Sequence, residues 1–187
     1  MATTTTTQEV QVPSAGTYAI DPSHSSVSFS ARHLMVSKVR GRFAVTGGEL
    51  TVGADPSDSA VVATIDAASV HSGDAKRDEH LRSADFFEVE KYPTITFRST
   101  RVVHDGHGEF SLYGELTVRD VTKPVVLRGE YLGTQDSPFG DTRAGFSAST
   151  EINRKDWGID FNVALETGGL LVGDKIKLDI DVEAIKQ

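Results

Sequence analysis

The chain contains no cysteine, which removes disulfides, thiolate metal sites and cysteine nucleophiles in one step. Long apolar runs are missing too: no stretch approaches the roughly 20 residues that a membrane-spanning helix needs. Cations are in the minority. The 19 Lys and Arg face 27 Asp and Glu, and a net charge of −8 over 187 residues favours solubility and repels polyanions, so nucleic acid is not an expected partner. Residues 1–13 carry Thr3 to Thr7 but neither Lys nor Arg, and so lack the charged start and apolar centre of a secretory signal. They read as a disordered Thr-rich leader over 1–15, with a single domain over 16–187 and a cytoplasmic location as expectations. Also absent are a Gly-rich phosphate loop, a nucleophile elbow and a metal-ligand signature.

What the chain does have is alternation. From Lys175 to Ala184 every second residue is apolar (Ile176, Leu178, Ile180, Val182, Ala184) and the residues between are charged, the pattern of a half-buried antiparallel strand. The same period predicts strands from Ser25 to His33, with His33 on the apolar side, and over 60–66, 94–103, 109–119, 125–133 and 143–152. Gly47-Gly48 reads as the turn of a hairpin between Phe43-Val45 and Leu50-Val52. Asp105-Gly106, residues 120–124 and residues 138–141 read as further turns. Only between Ser72 and Phe87 does the period change, where Ser72 or Asp74 can cap a short helix. Eight or nine strands without helical crossovers close as a meander barrel or pack as a sandwich.

The inward face is light. Gly114, Gly129, Ala31, Ala63, Ala144 and Ala148 sit at or beside positions where a solid core favours large aliphatics. Two readings stand side by side: small residues that leave room for a cavity, or glycines that mark the bends of a coiled sheet.

Six phrases then combine, in this order: YAIDPSHS at 18–25, RDEHLRSADFF at 77–87, YPTITF at 92–97, GELTV at 114–118, VTKP at 121–124 and NRKDWG at 153–158. Together they resemble the YceI-like family of bacterial polyisoprenoid-binding proteins, over about Tyr18 to Ala184. The resemblance implies an all-β, lipocalin-like antiparallel barrel of about eight strands with a short helical insert. It also implies a pore that holds an isoprenoid-type lipid such as a polyprenyl phosphate or an isoprenoid quinone. The Trp common near the start of relatives is Tyr18 here.

The pore-wall candidates are the inward positions Val27, Phe29, Phe43, Ile95, Phe97, Leu112, Gly114, Leu116, Leu127, Phe146, Ile152 and Leu178, together with His33 near one end of its strand. His33 can donate to a phosphate or quinone oxygen, or be a core histidine satisfied by a backbone carbonyl. Head-group candidates are His24 and the cations of the matched phrases, Arg77, Lys123 and Arg154. A diphosphate favours Arg for its fork of donors, although Arg77 beside Asp78 and Arg154 beside Asp156 also suit pairing within their loops. His71, Asp74, Asp78 and His80 do not converge on a helix, so no metal is expected. No cofactor is implied beyond the bound lipid or quinone.

The leading function is therefore carriage or storage of such a lipid. Two alternatives are an enzyme acting on a small lipid and an interaction module with a filled core. Asp21, Ser23 and His24 supply triad residue types, but neighbours on one extended segment are not expected to aim at one another as nucleophile, base and orienter. A homodimer is possible through the edge strands of an imperfectly closed barrel.

Overall fold

The structure, a computed structural model, describes residues 12–166 and 168–187. The alternating segments are strands: β1 (Gly16–Ile20), β2 (Ser26–His33), β3 (Ser37–Val52), β4 (Ala60–Asp66), β5 (Thr94–His104), β6 (Glu109–Val118), β7 (Val121–Asp136), β8 (Thr142–Asn153) and β9 (Val172–Lys186). Every ladder between them is antiparallel. β3 pairs with β2 on one side and with β4 on the other, from Val45↔Ile65 to Thr51↔Ala60, and this closes the ring. β1 and β2 succeed one another in the slot between β3 and β9, so nine strands fill the eight positions of a lipocalin-like antiparallel barrel. The pairing of β3 with β4 closes the ring, while the staggered ladders leave residues 37–44 of β3 and 121–127 of β7 laddered to a strand on one side only.

The hairpin expected at Gly47-Gly48 does not form. β3 runs unbroken through both glycines, and its register slips by one residue between Val45 and Gly47. This bulge inverts the inward parity, so Phe43 and Val45 point in before it and Leu50 and Val52 after it. Glycine is needed because β1 and β4 pass so near: a Cβ on Gly48 would lie 2.8 Å from Ile20 Cδ1 and 2.9 Å from Ala63 Cα. A second slip between Ser99 and Arg101 moves the inward face of β5 from Ile95 and Phe97 to Val102 and His104. The turn expected over 120–124 is shorter, because β7 begins at Val121 and includes Lys123 and Pro124.

One end of the barrel carries the only α-helix among the described residues, α1 (Ala75–Arg82), inside the expected window. Of the two expected caps, Asp74 serves: its carboxylate accepts from the Arg77 N–H at 2.9 Å. Ser72 has another task, donating to buried Asp78 through its N–H at 2.8 Å and its hydroxyl at 2.5 Å. Burial pushes the Asp78 carboxyl up, but the Ser72 donors and His71 at 3.2 Å outweigh it and hold the group below the usual range. His71 exchanges backbone hydrogen bonds with Arg42 of β3, so this polar knot fastens the helix to the wall.

The opposite end is filled by Tyr18, Val52, Ala144 and Ala184. Tyr18 is fully buried and its hydroxyl donates to the Ser14 carbonyl at 2.8 Å. The expected disordered leader over 1–15 is corrected at its end: Pro13 is buried, Val12 and Pro13 line the interior and Ser14 accepts from Tyr18. Residues 1–11 of that expectation lie outside the described residues. No helix among the described residues is long and apolar enough to cross a membrane.

Candidate functional site

The inward faces do not meet in the middle. They enclose a cavity of about 470 Å³, within the roughly 300–1,000 Å³ of small-molecule sites, and its wall is overwhelmingly apolar. Val27, Phe29, His33, Phe43, Ile95, Phe97, Leu112, Leu116, Leu127, Phe146, Ile152 and Leu178 all line it. Each is brought there by strand parity from β2, β3, β5, β6, β7, β8 or β9, so the wall is a product of the whole ring rather than of one motif.

Gly114 does not line it. A Cβ there would fall 2.5 Å from Phe97 Cζ and 2.6 Å from the Arg98 carbonyl, because the Phe97 ring of β5 already lies over the glycine. Gly129 under Phe110 and Gly41 under Phe29 repeat the arrangement. Part of the light wall is thus filled by aromatic rings lying across neighbouring strands, a packing device of sheets. Ala31, Ala63 and Ala148, in contrast, do face the cavity.

The helix end gathers the polar wall residues Arg32, His33, Arg77, His80 and Arg154. Arg77 donates from Nε to the Ser72 hydroxyl at 2.7 Å and from Nη2 to the Ser72 carbonyl at 2.9 Å, and its remaining donors are uncommitted among the described residues. His80 pairs with Asp85 at 2.8 Å and stands edge-on to Phe86 and Phe161. Arg154 is 5% exposed and fully engaged: Nε donates to Gly173 O, Nη1 to Ile159 O and Phe161 O, and Nη2 to Val172 O and Asp174 Oδ1. It has no donor left for a ligand. Lys123 lies exposed on β7 opposite Leu116, off the cavity wall, and His24 is on the outside of the barrel. The cations of the matched phrases therefore do not act as a set.

Three kinds of wall residue were not legible in the sequence. Phe86, Phe87 and Phe161 follow the helix or lie in the 158–171 loop, where no period-2 parity exists to place them. Arg32 lies on the polar parity of its strand and reaches the cavity only at the rim. His104 is inward because of the β5 slip. Its Nε2 lies 3.2 Å from the Pro56 carbonyl, whereas its buried Nδ1 has no partner. The Nε2–H donates to the carbonyl, which leaves Nδ1 as a lone-pair acceptor in an apolar chamber.

Outside the barrel, His24 Nδ1 lies 2.8 Å from Asp21 Oδ2, and the Ser23 hydroxyl donates to Asp21 Oδ1 at 2.5 Å. The three triad-type residues do meet, contrary to expectation. Both Ser23 and His24 converge on the carboxylate, however. The Ser23 hydroxyl also lies 3.5 Å from His24 Nδ1, but that is the nitrogen Asp21 already holds, so no separate ring nitrogen faces the hydroxyl to act as base, and none of the three lines the cavity. Asp21, His24 and Glu183 also fall within metal-binding distance of one another. Arg143 already supplies the cation there, donating from Nη1 to Asp21 Oδ2 at 2.9 Å and to Glu183 Oε1. The Ser23 and His24 hydrogen bonds hold Asp21 well below the ordinary carboxylate range, and the Asp21 hydrogen bond and Glu183 charge raise His24. A histidine raised in the folded state adds stability that is complete below its unfolded value of about 6.5 and is lost as pH rises through the folded value. The melting-temperature gap between the parent chain and His24→Gln should therefore be widest in mild acid and close toward alkaline pH. A gap that does not change with pH would refute the pairing.

Comparison with known proteins gives one family. The YceI-like domain family matches residues 18–184. A UPF0312 protein of Vibrio cholerae is 42% identical over 150 residues, 78% of this chain and 78% of its own length. The crystal structure of the Campylobacter jejuni YceI protein superposes with a TM-score of 0.67 at 31% identity, covering 83% of this chain and 90% of that one. A polyisoprenoid binding domain from Saccharophagus degradans shares the fold, with a TM-score of 0.66 at 16% identity over 91% of this chain and 98% of that one.

Proposed function

The chain belongs to the YceI-like family, and from that premise we propose that its barrel binds an isoprenoid-type lipid and carries or stores it in the cavity. The observation that carries this reading is the apolar chamber of about 470 Å³ with polar side chains gathered at the helix end. A linear or branched hydrocarbon needs such a wall, and an amphiphile needs a polar site at one end of it. The fold shared with a polyisoprenoid binding domain supports the same ligand class. Arg32, His33 and Arg77 would face a phosphate or quinone head. The role we propose is one of binding; among the described residues of the wall no nucleophile is hydrogen-bonded to a base.

The tail supplies most of the affinity in this scheme. Burying a methylene is worth about 0.8 kcal/mol, so a five-carbon unit contributes about 4 kcal/mol at most, against an association cost of about 4–15 kcal/mol. One prenyl unit then binds poorly and several bind well. Titration with prenyl alcohols and prenyl diphosphates of increasing length should show affinity climbing with each unit until the chamber is full. An affinity independent of tail length but dependent on the diphosphate would overturn tail-led recognition. Mass spectrometry of denatured, purified protein tests the ligand class, since a copurifying isoprenoid supports it and a different lipid class replaces it.

A further inference from the structure

Asp21 and Glu49 bracket 27 residues without a single carboxylate, in a chain whose net charge is −8. This segment holds β2, the tip of its hairpin and most of β3, together with Arg32, Lys38, Arg40 and Arg42, all of them exposed. None of the four enters an ion pair among the described residues, whereas the neighbouring Lys175 and Lys177 are each paired with a carboxylate. Arg32 and Lys38 stand directly opposite each other in the ladder. Like charges placed so destabilise a sheet, and the fold itself gains nothing from them.

The hairpin tip between the strands is apolar and faces water. Met35 is 62% and Val36 81% exposed, with Leu34 beside them at 38%. Leu34 and Met35 both take left-handed backbone, with φ of 51° and 63°, which β-turn chemistry normally reserves for Gly, Asn or Asp. The tip is nonetheless held: Val36 N–H donates to His33 O at 3.1 Å and Leu34 N–H to Leu171 O at 3.0 Å. Leu171 belongs to the next loop, whose Val163 and Leu170 are also exposed. This apolar lip with cations behind it lies at the end of the barrel where Arg32, His33, Arg77 and His80 line the cavity.

We infer that the β2–β3 hairpin docks the barrel on an anionic lipid bilayer, with Met35 and Val36 seated among the headgroups and Arg32, Lys38, Arg40 and Arg42 against the lipid phosphates. Charge selects this occupant. An anionic surface attracts the carboxylate-free hairpin and repels the acidic remainder, so the molecule arrives hairpin first, with the polar end of its chamber toward the lipid. An apolar tip flanked by basic residues is the composition that interfacial anchoring requires, and each juxtamembrane cation contributes about fivefold in partition. Docking does not depend on what the chamber holds, so it can fail while lipid binding stands, or the reverse.

The test is flotation of the full chain with vesicles of phosphatidylcholine containing phosphatidylglycerol, against phosphatidylcholine alone, at low and high salt. The protein should float with the anionic vesicles at low salt and be released at high salt. Met35→Asp with Val36→Asp, and separately Lys38→Glu with Arg40→Glu, should each lower the bound fraction at least tenfold at unchanged melting temperature. Parent protein that stays in solution with anionic vesicles, or either double variant floating as well as the parent, overturns the inference. So does a parent that is dimeric without vesicles and made monomeric by the Met35 and Val36 substitutions, since the lip would then be covered by a second copy.

Discussion

Replacing Arg154 with methionine should cost the barrel about 3–5 kcal/mol, the largest loss expected from any single polar residue in it. The side chain is 5% exposed and all five of its N–H groups are used, four on backbone carbonyls and one on Asp174. Methionine fills similar volume but leaves Ile159 O, Phe161 O, Val172 O and Gly173 O without a donor and Asp174 without this partner. Each buried, unmade hydrogen bond costs about 1–3 kcal/mol, tempered where water reaches the loop. These carbonyls belong to the loop after Trp157 and to the first two residues of β9, so the loss should be concentrated there. Denaturant melts should show a lower midpoint at unchanged slope, and amide exchange should rise first over residues 159–173. Arg154→Lys keeps the charge but not the five-donor fork, so it should fall between the two. If the guanidinium instead held a lipid head, Arg154→Met would melt normally and lose ligand, the opposite signature.

Arg154 also shows where reading the sequence stops. Strand parity placed the wall because side chains alternate whatever the rest of the chain does: Val27, Phe29, Leu112 and Leu178 follow from local pattern alone. The same parity misleads across a bulge. One extra residue in β3 at Gly47 and another in β5 near Ser99 invert the faces downstream, and nothing local distinguishes the Gly47-Gly48 bulge from a hairpin turn. His104 was lost for that reason. A charged residue's partners are not local either. Arg154 sits beside Asp156 in sequence, yet its acceptors span residues 159–174, and only the closed fold brings them around one guanidinium. Arg32, on the polar parity of β2, joins the cavity rim only because its strand ends there.

Gly114 makes the same point sterically, and it changes which substitution should block the chamber. Its emptiness in sequence is occupied in space by Phe97, so Gly114→Ala forces a Cβ against that ring and the Arg98 carbonyl. Backbone strain does not enter, since Gly114 is not among the positive-φ glycines. Overpacking of this kind costs about 1–3 kcal/mol. Gly114→Ala should therefore lower the melting temperature by several degrees, about 2–4 °C per kcal/mol, and leave prenyl affinity nearly unchanged below the transition. Phe97→Leu in the same chain should recover part of the loss, because the two side chains compete for one space. Ala148 is the converse. It lines the chamber from β8, opposite Gly129 and Ile180, so Ala148→Leu puts three more carbons into volume that the proposed tail would occupy. At about 0.8 kcal/mol per displaced methylene, the loss of about 2.4 kcal/mol corresponds to roughly fiftyfold weaker prenyl binding. Stability should hold or rise, since the added carbons extend from the packed wall into the chamber and bury apolar surface there. Calorimetric titration and thermal melts of the two variants give the decisive pattern: binding lost in one, stability lost in the other. An Ala148→Leu chain that binds a long prenyl chain as the parent does would remove the tail from this part of the barrel.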